Sequence, residues 1–263
     1  MSNDMVLQKL EGGLLTITMN RPERKNALNP DMVRGLVEAA RRAADDPEVR
    51  AVLFKGAGGS FCVGGDVKSM AEGRAPLPFE QKLANLRRGM EVSRILHQMP
   101  KPVVAQLDGA AAGAGLSMAL SCDLRIASES CKITTAFAKV GFSGDYGGTY
   151  FLTKMLGSAK ARELYLMSPV LSAQEALALG VVTKVVDDAE VEKAARDLAM
   201  SLAQGPSITY GYIKTNINNA ETMTLEACFD GESIHHTRCS DTDDHKEAAK
   251  AFVEKRKPVF KGQ

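Results

Sequence analysis

Val103-Val-Ala-Gln-Leu-Asp-Gly-Ala-Ala-Ala-Gly-Ala-Gly-Leu-Ser-Met-Ala-Leu-Ser121 decides the fold. Its first five residues are an aliphatic run of strand length, Asp108-Gly109 is a turn signal, and the small-residue stretch Ala110 to Ser121 reads as a helix whose start packs closely on its neighbours. Upstream, the spacing predicts a helix over Phe79 to Met99, stopped by Pro100-Lys101-Pro102. Before that, Ala51-Val-Leu-Phe54 is a short buried strand that runs into Gly56-Ala-Gly-Gly59 and Gly64-Gly65. Strand, glycine turn, helix and strand in this order make a βαβ rhythm and place the chain in the α/β class.

The ends follow the same logic. Val6 to Leu10 and Leu14 to Met19 flank Glu11-Gly-Gly13 as a hairpin. Asn29 is a helix N-cap with Pro30 at the first helical position, and Met32, Leu36, Ala40 and Ala43 recur on one face. Leu124 to Ala127 and Lys132 to Thr134 supply further strands. Ser172-Ala-Gln-Glu175 is a capping box, Gly180 ends that helix, and Val181 to Val186 is the last expected strand. From Glu190 onward the pattern is helical, with a break at Gly205-Pro206. A soft boundary near residue 200 divides an α/β body, residues 1–200, from a helical region, residues 201–263, whose apolar faces need the body or another subunit to cover them.

Composition narrows the function. The 263 residues are 44% hydrophobic and 25% charged, as expected of a globular chain with a large core. Lys+Arg 33 against Asp+Glu 32 gives a formal charge of +1, without the footprint of a nucleic-acid binder. No apolar run is long enough to span a membrane, and the start has no signal-peptide pattern. The five cysteines (Cys62, Cys122, Cys131, Cys228, Cys239) lack ligand spacing and read as free thiols of a cytoplasmic protein. No metal cluster emerges, and His97, His235, His236 and His245 read as surface or packing residues.

Three segments carry candidate chemistry. Ser60-Phe-Cys-Val-Gly-Gly-Asp66 and Gly109-Ala-Ala-Ala-Gly-Ala-Gly115 are small enough for backbone N–H groups to approach a ligand, and together they could grip one oxygen. Neither is a dinucleotide fingerprint. In Val140-Gly-Phe-Ser-Gly-Asp-Tyr-Gly-Gly-Thr149, Asp145 sits among Phe142, Tyr146 and glycines. A carboxylate in apolar company can act as a general base near neutral pH; the plainer reading is a turn former. Tyr146 reads as a positioning group or as a buried aromatic wall.

In this order and spacing the segments resemble the crotonase family, the enoyl-CoA hydratase/isomerase superfamily. The likeness also rests on Asn20-Arg-Pro-Glu-Arg-Lys-Asn-Ala-Leu-Asn29, Ser121-Cys-Asp-Leu-Arg125, Gly147-Gly-Thr149 and Ser172-Ala-Gln-Glu-Ala-Leu-Ala-Leu-Gly-Val-Val182, and spans nearly the whole chain. It implies a superhelix of repeated ββα units, a C-terminal helical trimerisation region, a homotrimer or dimer of trimers, and an acyl-CoA thioester substrate with no cofactor beyond its coenzyme A. By the same match, the amides of Gly65 and Ala114 form the oxyanion hole. Arg24, Ala27 and Leu28, with the backbone of Cys62, Gly64, Asp66 and Val67, line the coenzyme A channel. Lys257 and Phe260 are expected to reach the nucleotide from the same or a neighbouring subunit. Met70, Leu77, Phe79 and Met90 are expected to face the acyl chain.

One departure matters. Hydratases of the family carry two glutamates at the positions held here by Ser117 and Phe137. Asp145 stands where dienoyl-CoA isomerases, epoxyphenylacetyl-CoA type isomerases and chlorobenzoyl-CoA dehalogenases place a catalytic aspartate. The dehalogenase needs a Trp and a His, and the chain has no Trp and puts Met90 and Phe137 at the helper positions. The resemblance therefore implies an isomerase that moves a double bond through Asp145; a hydratase with a non-standard acid/base set and a non-catalytic acyl-CoA-binding protein are the alternatives.

Overall fold

The computed structural model describes residues 5–67 and 77–263. Strands β1 (Val6–Glu11) and β2 (Leu14–Met19) form the expected antiparallel hairpin. Parallel strands β3 (Ala51–Gly56), β4 (Val103–Leu107), β6 (Leu124–Ser128) and β9 (Lys184–Val186) continue a six-stranded sheet in the order β1-β2-β3-β4-β6-β9. A second sheet of three short strands holds β5 (Ala110–Ala112), β7 (Lys132–Thr134) and β8 (Leu171–Ser172) in the order β5-β7-β8. The pairs β4/β5 and β6/β7 each give one strand to either sheet, which makes the turns of a ββα superhelix.

Side chains alternate across the large sheet as strand geometry requires. Val52 and Phe54 of β3 join the main core, while Ala51 and Leu53 face the opposite side. The main core is closed by helix α1 (Pro30–Asp45), which buries Met32, Leu36, Ala40 and Ala43 as expected. Its start is fixed by Asn29, whose side chain accepts from the Met32 amide at 2.8 Å.

Three expectations change in detail. Ala110 to Ala112 are strand, because they pair in parallel with β7, and helix α4 (Ala114–Leu120) begins only after Gly113 turns the chain at φ 53. The pattern over Phe79 to Met99 is two helices, α2 (Phe79–Gly89) and α3 (Glu91–Gln98), that break at Met90. Glu91 spans that break by ion-pairing with Arg87 and Arg94, which holds its carboxyl down at about 2. Residue 200 lies inside helix α7 (Val191–Ala203), whose Val191, Ala195, Ala199 and Ala203 pack on the second face of the sheet. The soft boundary near residue 200 thus falls inside a helix that ends just before Gly205-Pro206.

Helix α8 (Ser207–Ala220) docks on the body of its own chain through Lys214, only 8% exposed. Its ammonium donates to the Leu96 carbonyl at 2.8 Å and to Asp123 Oδ2 at 2.8 Å. Helices α9 (Leu225–Ser240) and α10 (Asp243–Val253) follow and leave Leu225, Phe229, Phe252 and Val253 exposed. The motif around Arg125 is structural: the buried guanidinium donates to the carbonyls of Cys122 at 2.6 Å and Val181 at 2.7 Å. Among the described residues no helix is long and apolar enough to cross a membrane.

Candidate active site

The two glycine turns are brought together by a single parallel bridge between Cys62 and Ala111. The Cys62 amide donates to the Ala110 carbonyl at 3.0 Å, and the Ala112 amide donates to the Cys62 carbonyl at 2.9 Å. Three residues further along each strand lie Gly65 and Ala114. A methyl group built on Gly64 would sit 3.3 Å from the Ala114 nitrogen, so the turns touch at this point. Only glycine fits there, since Gly64 has φ +87 and the added carbon would also meet the Ala112 carbonyl at 3.0 Å. The crossing is equally tight at Gly115, where an added carbon would lie 2.3 Å from the Cys62 carbonyl. Among the described residues neither the Gly65 nor the Ala114 amide has an acceptor.

The outer wall of the first turn is set by the Asn20 to Asn29 segment. Asn26 is fully buried; its amide group donates to the carbonyls of Ala57 at 2.9 Å and Ser60 at 2.7 Å. Arg21 donates to Asp66 Oδ2 at 2.7 Å and to the Ala27 carbonyl at 3.1 Å, and both side chains of the ion pair are largely out of water. Removing one member of a pair so enclosed strands the other charge. Asp66→Ala is accordingly expected to lower the unfolding free energy by about 3 kcal/mol in urea titrations, without moving the pH dependence of turnover.

Asp145 reaches the same cleft on a loop wound through positive φ at Gly144 (115), Tyr146 (50) and Gly147 (81). This winding turns the carboxyl inward. Its Oδ1 is buried without a hydrogen-bond partner among the described residues, and burial pushes the acid up to about 6. Gly65, Ala114 and Asp145 line one cleft of about 660 Å³, together with Leu28 and Tyr146.

The hydratase glutamate positions are filled otherwise. Ser117 is buried and donates from Oγ to the Gly113 carbonyl at 3.2 Å. Phe137 stacks on Tyr165, with ring centroids 5.9 Å apart. The other carboxylate among the described lining residues is Glu38, which stands exposed between Arg34 and Arg41 on α1.

The expected channel residues lie as follows. Cys62 is fully buried and both its backbone groups are bound in the bridge. The Gly64 carbonyl accepts from the Leu28 amide at 2.8 Å, and the Asp66 amide donates to the Leu28 carbonyl at 3.3 Å. These three therefore build the wall that Leu28 presents to the cleft, with Ala27 buried beside it. Arg24 and Val67 are exposed at the edge of the same loops. Phe260 lies toward the end of the sheet away from the glycine turns. The Phe260 carbonyl accepts from Arg50 at 3.4 Å, and Arg50 precedes β3, at the end of the sheet opposite the glycine turns. Leu77 lines the cleft, Phe79 is 72% exposed, and Met70 lies outside the described residues.

The sequence reading missed the basic rim of the cleft: Arg34 and Arg41 of α1 with Lys82 and Arg88 of α2. Arg34 and Arg41 are seven residues apart, two helical turns, so their shared face was available from spacing.

The cleft thus sets two backbone donors and a buried carboxyl side by side. The enoyl-CoA hydratase/isomerase family profile matches residues 9–263, and the chain belongs to that family. It is 37% identical over 261 residues to the 1,2-epoxyphenylacetyl-CoA isomerase of Escherichia coli (strain K12), covering 99% of each chain. It is 33% identical to the short-chain-enoyl-CoA hydratase of Clostridium acetobutylicum, covering 97% of this chain and 96% of that one. The crystal structure of an enoyl-CoA hydratase from Polaromonas sp. JS666 superposes with a TM-score of 0.91 at 32% identity, covering 97% of this chain and 99% of that one.

Proposed function

We propose that this family member is an isomerase that shifts a double bond in an acyl-CoA thioester, with Asp145 as its one acid-base group. The observation that carries the reading is the unpartnered Asp145 carboxyl in the cleft with the Gly65 and Ala114 amides, where Ser117 and Phe137 replace a glutamate pair. A 3-enoyl thioester loses a C2 proton to the Asp145 carboxylate. The negative charge spreads to the thioester oxygen, which accepts from the amides of Gly65 and Ala114. The same carboxyl returns the proton to C4, so the double bond passes from C3–C4 to C2–C3 and no atom is gained or lost. The basic rim suits the phosphates of coenzyme A.

Hydration needs one group to activate water while another protonates carbon, and among the described residues the cleft offers Asp145 alone at the oxyanion pair. The isomerase name of the Escherichia coli relative agrees with this reading, while the hydratase name of the Clostridium acetobutylicum relative makes the direct comparison necessary. With 3-hexenoyl-CoA the protein is expected to raise the absorbance of the conjugated thioester, and in deuterated water to exchange label at C2 and C4. With crotonyl-CoA it is expected to form 3-hydroxybutyryl-CoA at least 100-fold more slowly. Hydration as fast as isomerisation would overturn the proposal.

A further inference from the structure

Tyr146 belongs to two cavities at once. Its ring bounds the catalytic cleft next to Asp145 and also lines a second cavity of about 670 Å³ behind it. The side chain is only 5% exposed and crosses from the Asp145 loop to the α2/α3 bend. A carbon added at Gly89 would lie 2.8 Å from the Tyr146 hydroxyl oxygen and 2.8 Å from Val33 Cγ1 of α1. The phenol therefore closes the gap between three elements, and Gly89 has no side chain because the hydroxyl occupies its place.

The space on that side has a mixed lining, with Met90, Phe151 and Ser93 beside Arg87, Arg94 and His97. Ser93 is 2% exposed, and its hydroxyl has no hydrogen-bond partner among the described residues. Among the described residues Tyr146 alone lines both cavities, and the α2/α3 bend runs between them, with Arg88 and Gly89 on the cleft and Arg87 and Met90 on the other side.

We infer that Tyr146 is the residue that sets acyl size: its ring is the end wall of the acyl space, and removing it joins the cleft to the cavity behind. This rests on the acyl-CoA reading of the cleft, with the reacting carbons at Asp145. The next residue along the loop then stands where the acyl chain would continue, so the parent protein favours short acyl groups. The backbone at Tyr146, φ +50, is one that glycine adopts freely, so Tyr146→Gly removes the wall without straining the loop. Tyr146→Phe keeps the wall.

The test is calorimetric binding of saturated thioesters, which bind without reacting and so report acyl size independently of any isomerisation. The parent and Tyr146→Phe are expected to bind butyryl-CoA at least tenfold more tightly than dodecanoyl-CoA. In Tyr146→Gly, dodecanoyl-CoA should gain at least tenfold in affinity while butyryl-CoA changes less than threefold. Adding Met90→Trp to that variant should refill the rear cavity and restore the parent order. Should the glycine variant not fold, Tyr146→Ala is read in the same way. An unchanged order of affinities after the ring is removed overturns the inference, as does a gain that survives Met90→Trp. A parent that keeps the expected order of affinities but isomerises no 3-enoyl thioester would strike the proposed reaction and leave this inference standing.

Discussion

Asp145→Asn is expected to lower isomerisation by about 100- to 10,000-fold, the range a positioned acid-base group supplies, while the folded protein becomes more stable at pH 8. The two effects have one cause. The buried carboxyl is held up at about 6 by its loss of water, so near neutral pH it is charged and ready to accept a proton, at a cost to the fold. Turnover in the parent should rise with pH through about 6 and level off above it, and that limb should vanish from whatever activity the variant retains. The sign for stability runs the other way. Between the ordinary carboxylate value of 3.8 and about 6 the folded chain keeps a proton that the unfolded chain has released, so stability falls as pH climbs through this window. The amide carries no charge to bury. Allowing for partial solvent access, the variant should gain about 1 to 2 kcal/mol at pH 8 and almost nothing at pH 4, where the acid is neutral in both states. Parental turnover in the variant would remove Asp145 from the reaction. Equal stability at both pH values would show that the carboxyl is not desolvated as the cleft geometry requires.

How much of this was legible from residues alone depends on whether the deciding interaction is local. The Asn29 cap, the Ser172 to Glu175 capping box and the first hairpin are local, and the structure forms each where the sequence places it. Ala110 to Ala112 misled because three alanines before a helix carry no strand signal. What makes them strand is pairing with Lys132 to Thr134 some twenty residues later, and with Cys62 nearly fifty residues earlier. The break at Met90 is similar: both arms have helical periodicity, and the α2/α3 bend seats Gly89 under the Tyr146 hydroxyl, a contact from another part of the chain.

The site follows the same division. That residues 65 and 114 carry free amides came from resemblance, and the bridge at Cys62 gives the physical reason, a register that sets the two turns side by side. That backbone groups of Cys62, Gly64 and Asp66 help to hold the wall could not be read from the motif, because the same small residues suit either task. The decision lies in partners contributed by Leu28, Ala110 and Arg21. Tyr146 was legible as a wall, though what it separates emerged only with the helices on its far side in place.

Ala114→Pro tests the oxyanion pair with the least disturbance, because Ala114 is the first residue of α4 and proline is accepted at that position. The substitution deletes one N–H whose only evident use is to meet a ligand, and the preceding Gly113, at φ 53 and ψ −126, is outside the helical region that proline disfavours in its neighbour. Loss of one such donor corresponds to about 3 kcal/mol in the barrier, so kcat should fall about 100- to 1,000-fold with the melting temperature within a few degrees of the parent. Affinity for a saturated thioester should fall far less than kcat, because the neutral carbonyl leans on these amides less than the enolate does. Ala114→Gly keeps the N–H and should retain most of the activity. If the proline variant turned over as the parent does, the Ala114 amide would carry no charge in the transition state. Proton removal by Asp145 would then need stabilisation from Gly65 alone, and the side-by-side register of the two turns would have a structural purpose only.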